Sequence, residues 1–392
     1  MLKDSKAGRD IEHYLEIMVE RNASDLFFSV GAPVNVRIEG VAEPLDEVRL
    51  TTTKLMRLVT VLLSAEQLEE YEAVMEMNLG LGLEPLGRFR INIYRQRGEP
   101  AMVIRYIKTH IPTIEALNLP PILSELVMEP RGLILVAGAT GSGKSTTLAA
   151  MINHRNESRT GHIITVEDPM EFSHEHKRSI VDQREVGLDT LSYGNALKNA
   201  MREAPDLILI GEIRDVETMR HAIVFAETGH LCLSTVHANN SNQTLDRVVN
   251  FFESAARRQL LIDLSSNLKA IICQRLVMGV DGKRLPVVEV LLNTLYISDL
   301  IAKGEVEGIK EAMERSEMVG MCTFDQCLFR YYQQGRITEK EALANADSRN
   351  NLQVKINLTK GVADASHLKL HDADDEEEEE TRGNKGKGGR RR

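Results

Sequence analysis

Apolar and polar positions recur along this chain with two different periods, and the changes of period mark its elements. Ile11, Tyr14, Leu15 and Met18 fall at helical spacing, which predicts an amphipathic helix at the start. Asp25 to Val30 and Pro33 to Ile38 alternate instead, carry β-branched or aromatic residues, and are punctuated by Gly31, Ala32 and Gly40, which predicts a hairpin. Residues 51–77 return to a helical pattern. Gly87 to Gly98 and Ala101 to Ile107 give two further strands around a turn, so residues 1–107 read as a small α+β domain with an antiparallel sheet. Pro112, Pro120, Pro121 and Pro130 punctuate the next stretch of chain, placing a linker at 108–115.

Beyond the linker the pattern alternates: strand 133–137, helix 144–153, strand 162–167, helix 193–203, strand 207–211, helix 215–227 and strand 231–236. That order predicts an α/β fold, a parallel sheet with helices on both faces. After Asn239 the chain turns helical, with a stripe of Leu260, Leu264, Leu268 and Ile272 expected to pack in the core. Pro286 to Leu292 gives one more strand, and helices run to about residue 345. The second domain is placed at 116–355 and a disordered tail at 356–392.

The first strand of this second domain opens onto chemistry. Gly138, Ala139, Thr140, Gly141, Ser142, Gly143, Lys144, Ser145 and Thr146 join it to a helix with the spacing Gly-x4-Gly-Lys-Ser of a phosphate-binding P-loop. Glycines let backbone N–H groups approach phosphates, and the helix N-terminus adds partial positive charge. Lys144 is placed to reach the β- and γ-phosphates of ATP, and the Ser145 hydroxyl to ligate Mg2+. The bland alternative is a Gly-rich turn between a strand and a helix, and the correct elements on both sides weigh against it.

Ligands of an open parallel sheet sit at the carboxyl ends of its strands. Three later strands deliver polar residues there: Glu167 and Asp168, then Glu212, then His237. An acid ending an apolar strand after a P-loop holds Mg2+ or orients the attacking water. Gly211 stands where the metal-binding Asp usually lies, which makes Glu212 the candidate for polarising water. His230 and His237 bracket one strand; His237 is the better placed to sense a γ-phosphate, and a packing role is as much expected of His230 as a functional one. Arg88, Arg90, Arg95, Arg97 and Arg105 crowd the end of the first domain, ordinarily a solvated face. The second domain shows no obvious cation near its P-loop strand, so arginines from a neighbouring subunit would fill that role.

Composition narrows the class. With 42% hydrophobic and 27% charged residues the 392-residue chain has the make-up of a globular α/β protein, and no apolar run approaches the roughly 18 residues of a membrane span. The N-terminus lacks a secretory pattern, so a cytoplasmic protein is expected. Its four cysteines include no Cys-x-x-Cys pair, against a disulfide framework or a zinc knuckle. A net charge of −10 weighs against nucleic acid as a partner. Eight acids between Asp372 and Glu380, followed by six bases from Arg382 on, mark the tail as solvating sequence.

Gly138 to Thr146, Ile164 to Phe172, Leu207 to Asp215 and Thr228 to His237 resemble, in order, the Walker A, Asp, Walker B and His boxes of the type II/type IV secretion ATPases. Ala23 to Leu26, Gly87 to Arg90 and Gln183 to Thr190 look like the PilT branch, which powers type IV pilus retraction. Ala238 to Gln243, Asn267 to Ala270, Glu289 to Thr294 and Thr323 to Gln326 are more similar to a paralogue within that branch. The resemblance implies a PAS-like N-terminal domain, a RecA-like second domain, and a homo-hexamer with ATP between subunits. It further implies a PilT-type ATPase and a PilC-like inner-membrane platform protein as partners. By position, Arg90 and Arg105 match arginines that approach the nucleotide, Lys144 and Ser145 the phosphate and metal ligands, Glu167 the Asp-box acid, Glu212 the catalytic glutamate, and His230 and His237 the His-box pair. Tyr296 to Leu300 replaces Ala-Ile-Arg-Asn-Leu, a motif tied to retraction, which points to an accessory motor. Phe27 stands where the family carries a histidine. A RecA-like nucleic-acid translocase and a non-hydrolysing nucleotide-binding ring remain the alternatives.

Overall fold

The computed structural model describes residues 5–38 and 40–360. The first part runs α1 (Lys6–Glu20), β1 (Asp25–Ser29), β2 (Asn35–Ile38), β3 (Val41–Pro44), α2 (Thr52–Leu62), α3 (Ala65–Val74), β4 (Glu76–Leu83), β5 (Gly87–Gln96) and β6 (Glu99–Ile107). Its sheet has the order β3-β2-β1-β6-β5-β4, antiparallel throughout. Ile11, Tyr14, Leu15 and Met18 are all buried, as their spacing predicts, in one core with Leu26, Phe28, Phe89 and Ile104. The helical pattern over 51–77 is two helices and the start of a strand. Ser64 restarts the helix with a capping box, and Met75 ends it in the left-handed conformation, releasing Glu76 into β4.

The second part runs α4 (Ile122–Leu126), β7 (Gly132–Ala137), α5 (Lys144–Ser158), β8 (Gly161–Glu167), β9 (Ser179–Glu185), α6 (Tyr193–Ala200), β10 (Leu207–Ile210), α7 (Val216–Glu227), β11 (Leu231–Val236), α8 (Ser241–Phe251), α9 (Ser254–Asn267), β12 (Leu268–Met278), β13 (Arg284–Leu292), α10 (Leu295–Lys303), α11 (Glu307–Glu314), α12 (Phe324–Gln333) and α13 (Glu339–Ala344). The sheet order is β13-β12-β7-β11-β10-β8-β9, parallel except for β13, with an apolar core on each face. This is a RecA-like α/β domain behind a small α+β domain.

Three expectations are corrected. The strict alternation omitted β9, an edge strand coming directly after β8 with no helix between them. The stripe from Leu260 to Ile272 is not one helix: α9 ends at Asn267, and Leu268 and Ile272 belong to β12. Asn293 Nδ2, just past the end of β13, donates to the carbonyls of Ser265 and Leu268, both at 2.9 Å, fixing that helix end. Residues 356–360, expected in the tail, continue a helix over 349–360 in which Leu352 and Ile356 are fully buried. The tail's acidic and basic blocks lie outside the described residues. The segment 108–115 is docked, with Lys108 bridging Phe172 and Ile114 packed under the second sheet.

Candidate functional site

At the end of β7 the chain must turn back over its own backbone. A Cβ on Gly138 would stand 2.6 Å from the Gln274 carbonyl oxygen and 2.4 Å from Ser142 Oγ, so only glycine fits. Helix α5 then starts at Lys144 with no side-chain cap, leaving its first N–H groups for a ligand. Lys144 is buried and donates to the carbonyls of Gly138 at 2.9 Å and Ala139 at 3.0 Å; burial pulls its pKa below the usual lysine value. Ser142 Oγ is buried with no partner among the described residues. These unmet donors, the lysine and a cavity of about 690 Å3 over the helix suit a polyphosphate. Thr140, Gly141, Gly143, Lys144, Ser145 and Thr146 line the cavity, whereas Gly138 and Ala139 line an adjoining hollow with His237.

Parallel register aligns the ends of β8, β10 and β11, which brings the predicted acids and His237 to the opposite wall. Glu212 Oε2 lies 3.1 Å from His237 Nε2. Its other oxygen pairs with the Arg214 guanidinium, which also stands 3.6 Å from Asp168. The His237 pKa is lowered, first by desolvation and then by Lys144, Arg247 and Arg214, so the ring is neutral at pH 7. Glu167 accepts from Thr165 Oγ1 at 2.7 Å, and burial pushes its carboxyl up to about 7. Gly211 is glycine for lack of room: a Cβ there would meet Tyr193 Oη at 2.8 Å and the Glu167 Cα at 3.2 Å. An aspartate at that position would displace the strand that carries Glu167.

Three predicted residues lie elsewhere. His230 precedes β11, roughly 20 Å from His237 along a strand rising ~3.3 Å per residue. It is held by Thr228 Oγ1 at 3.0 Å and packs edge-on against Phe225, a structural setting. Arg90 and Arg105 do not line this cavity. Arg90 Nη1 stands 3.2 Å from the buried Glu185, and Arg105 Nε donates to Asp25 at 2.8 Å.

The expectation that the second domain offers no cation is overturned by Arg214, with Lys108 and Arg284 also on the cavity wall. Arg214 was legible in Glu212-Ile-Arg214: two residues apart in an extended segment, the side chains share a face. Arg284 had no local signal, since it starts a hairpin strand brought in by tertiary pairing.

A P-loop after β7 of a parallel sheet, faced by an acid after β10 two strands away, defines a P-loop ATPase. The chain belongs to the Type II/IV secretion system protein family, whose model matches residues 2–356. It is 49% identical over 360 residues to the type IV pilus ATPase PilU of Pseudomonas aeruginosa, covering 92% of this chain and 94% of that one. To PilT of the same organism, a type IV pilus retraction ATPase, it is 36% identical over 87% of this chain and 99% of the relative. The crystal structure of the pilus retraction motor PilT with bound ADP superposes with a TM-score of 0.81 at 38% identity, covering 88% of this chain and 98% of that one. No helix among the described residues is long and apolar enough to cross a membrane.

Proposed function

We propose that this chain is an ATPase of a type IV pilus machinery, hydrolysing ATP at the interfaces of a homo-hexamer to drive or assist retraction. It works as an accessory motor beside a PilT-type ATPase, on the cytoplasmic side of an inner-membrane platform protein. The observation that carries the reading is the Glu212 carboxylate, set between His237 and Arg214 on the wall facing the P-loop. Lys144 and the α5 N-terminus bind the phosphates, Glu212 orients the attacking water, and neutral His237 holds that carboxylate in place. Ser145, on the cavity wall, would hold Mg2+, which when bound neutralises phosphate charge. Arg90 and Arg105 act on the nucleotide of a neighbouring subunit; in support, both lie outside their own cavity and Arg105 is half exposed. The accessory role is supported by Tyr296 to Leu300, which departs from the motif of the PilT branch, and the likeness to PilU supports a pilus ATPase.

The test separates binding from chemistry. Lys144→Ala is expected to abolish productive nucleotide binding. Glu212→Gln is expected to bind ATP as wild type does while turnover falls by about two to three orders of magnitude. Equal ATP affinity for wild type and Lys144→Ala, or near-normal turnover by Glu212→Gln, would sink the assignment.

A further inference from the structure

Glu289 lies on β13, outside the nucleotide cavity, and is 2% exposed. Among the described residues no lysine or arginine makes an ion pair with it. Its Oε1 accepts from the backbone N–H and the hydroxyl of Ser241, both at 2.8 Å, and its Oε2 from the Phe324 N–H at 3.4 Å. Ser241 is the first residue of α8 and Phe324 the first of α12. One carboxylate therefore bridges two helix N-termini, each supplying an unpaired donor and the positive end of its dipole. Burial pushes its pKa up while the Ser241 and Phe324 donors pull it down. An apolar residue here would leave the Ser241 and Phe324 donors buried and unpaired, so the carboxylate holds both helix ends to β13.

The bridge also bears on a neighbouring segment. Ser241 lies four residues beyond His237, and the intervening segment is anchored on its outer side as well. Arg275 Nη2 donates to the Asn239 carbonyl at 3.0 Å and pairs with Asp347, while Arg275 Nη1 donates to the Asn345 carbonyl at 2.7 Å. Asn240 Nδ2 reaches Asp347 at 3.4 Å. Asp325, on α12, accepts from the N–H groups of Asp347 and Ser348, closing the ring of contacts. Outside α8 itself, these anchors of the His237 segment belong to the β12–β13 hairpin or to the chain at 345–347.

We propose that Glu289 is a positioning residue that ties the His237 segment to the C-terminal helices, so that the contact between His237 and Glu212 depends on the placement of those helices. This rests on the reading of Glu212 and His237 as hydrolytic residues, and it supplies the route by which a partner moving α12 would change turnover.

The test is Glu289→Gln in the full chain, because an amide cannot accept at both oxygen positions. We expect kcat to fall about tenfold with the KM for ATP within about twofold. Hydrogen–deuterium exchange should quicken in residues 237–241 and 323–326 while 133–146 stays at the wild-type rate. An unchanged kcat, or exchange quickened uniformly as in general destabilisation, overturns the proposal. Should Glu289→Gln not fold, Ser241→Ala removes one donor and keeps the carboxylate. It should show the same pattern at about threefold, and wild-type behaviour there overturns the proposal equally. A wild-type chain without turnover would sink the ATPase reading instead, leaving the local exchange pattern to decide on Glu289.

Discussion

Arg90 is the residue whose two roles are easiest to separate by measurement. In its own subunit it stands 3.2 Å from Glu185, which is 1% exposed and otherwise accepts from the Met170 N–H at 3.2 Å. Arg90→Ala leaves that carboxylate buried with one backbone donor. Breaking a fully buried pair costs ~3–5 kcal/mol, and because Arg90 is itself about a quarter exposed, water relieves part of this, leaving about 2 kcal/mol. At ~2–4 °C per kcal/mol for a domain of this size, the melting temperature should drop by roughly 4–8 °C. Adding Glu185→Gln removes the stranded charge and should recover more than half of the loss. Burial raises the Glu185 pKa and Arg90 opposes that rise, so deleting Arg90 raises it further. A carboxyl with a raised folded-state pKa penalises the fold only above its unfolded value, so the deficit should be full near about pH 8 and shrink toward about pH 5. Thermal melts of wild type, both single variants and the double variant at these two pH values are the assay. Arg90→Ala melting with wild type, or losing as much with Glu185→Gln present as without it, would refute the argument. If Arg90 also serves a neighbouring nucleotide, the double variant regains stability and not turnover.

Glu167→Gln should stabilise the chain near about pH 8 by roughly 1–3 kcal/mol and leave it unchanged near about pH 4, while slowing hydrolysis; its carboxyl, raised from 4.5 to about 7, penalises the fold increasingly above its unfolded value and in full above about 7. Melts at the two pH values check it, and equal shifts at both would contradict it. Inactive Arg105→Ala subunits mixed with inactive Lys144→Ala subunits should recover part of the turnover at mixed interfaces; no recovery with subunit exchange demonstrated would leave Arg105 its pairing with Asp25 alone. Cells lacking the PilT-type ATPase and overproducing this chain should keep extended pili and not twitch. Full retraction under those conditions would end the accessory-motor reading.

The sequence by itself determined what is encoded within a few residues. The P-loop, the acids closing β8 and β10, and His237 closing β11 are each an apolar run followed by a polar residue, and the parallel register then aligns their ends without further information. The buried face of α1 was legible for the same reason, since a helix writes its packing as a period. Tertiary structure decided the rest. Strand β12 is buried on both faces of the sheet, which erases the alternation that would have marked it, and its boundary with α9 is set by Asn293, just past the end of β13. Arg90 is one charge among five on what reads as a solvated face, and only the packing of the first sheet against the 185–189 turn gives it a buried partner. His230 and His237 differ by seven positions, and the sequence favoured His237 without excluding His230. A strand is straight, so one stands at the site and the other at the opposite end of β11.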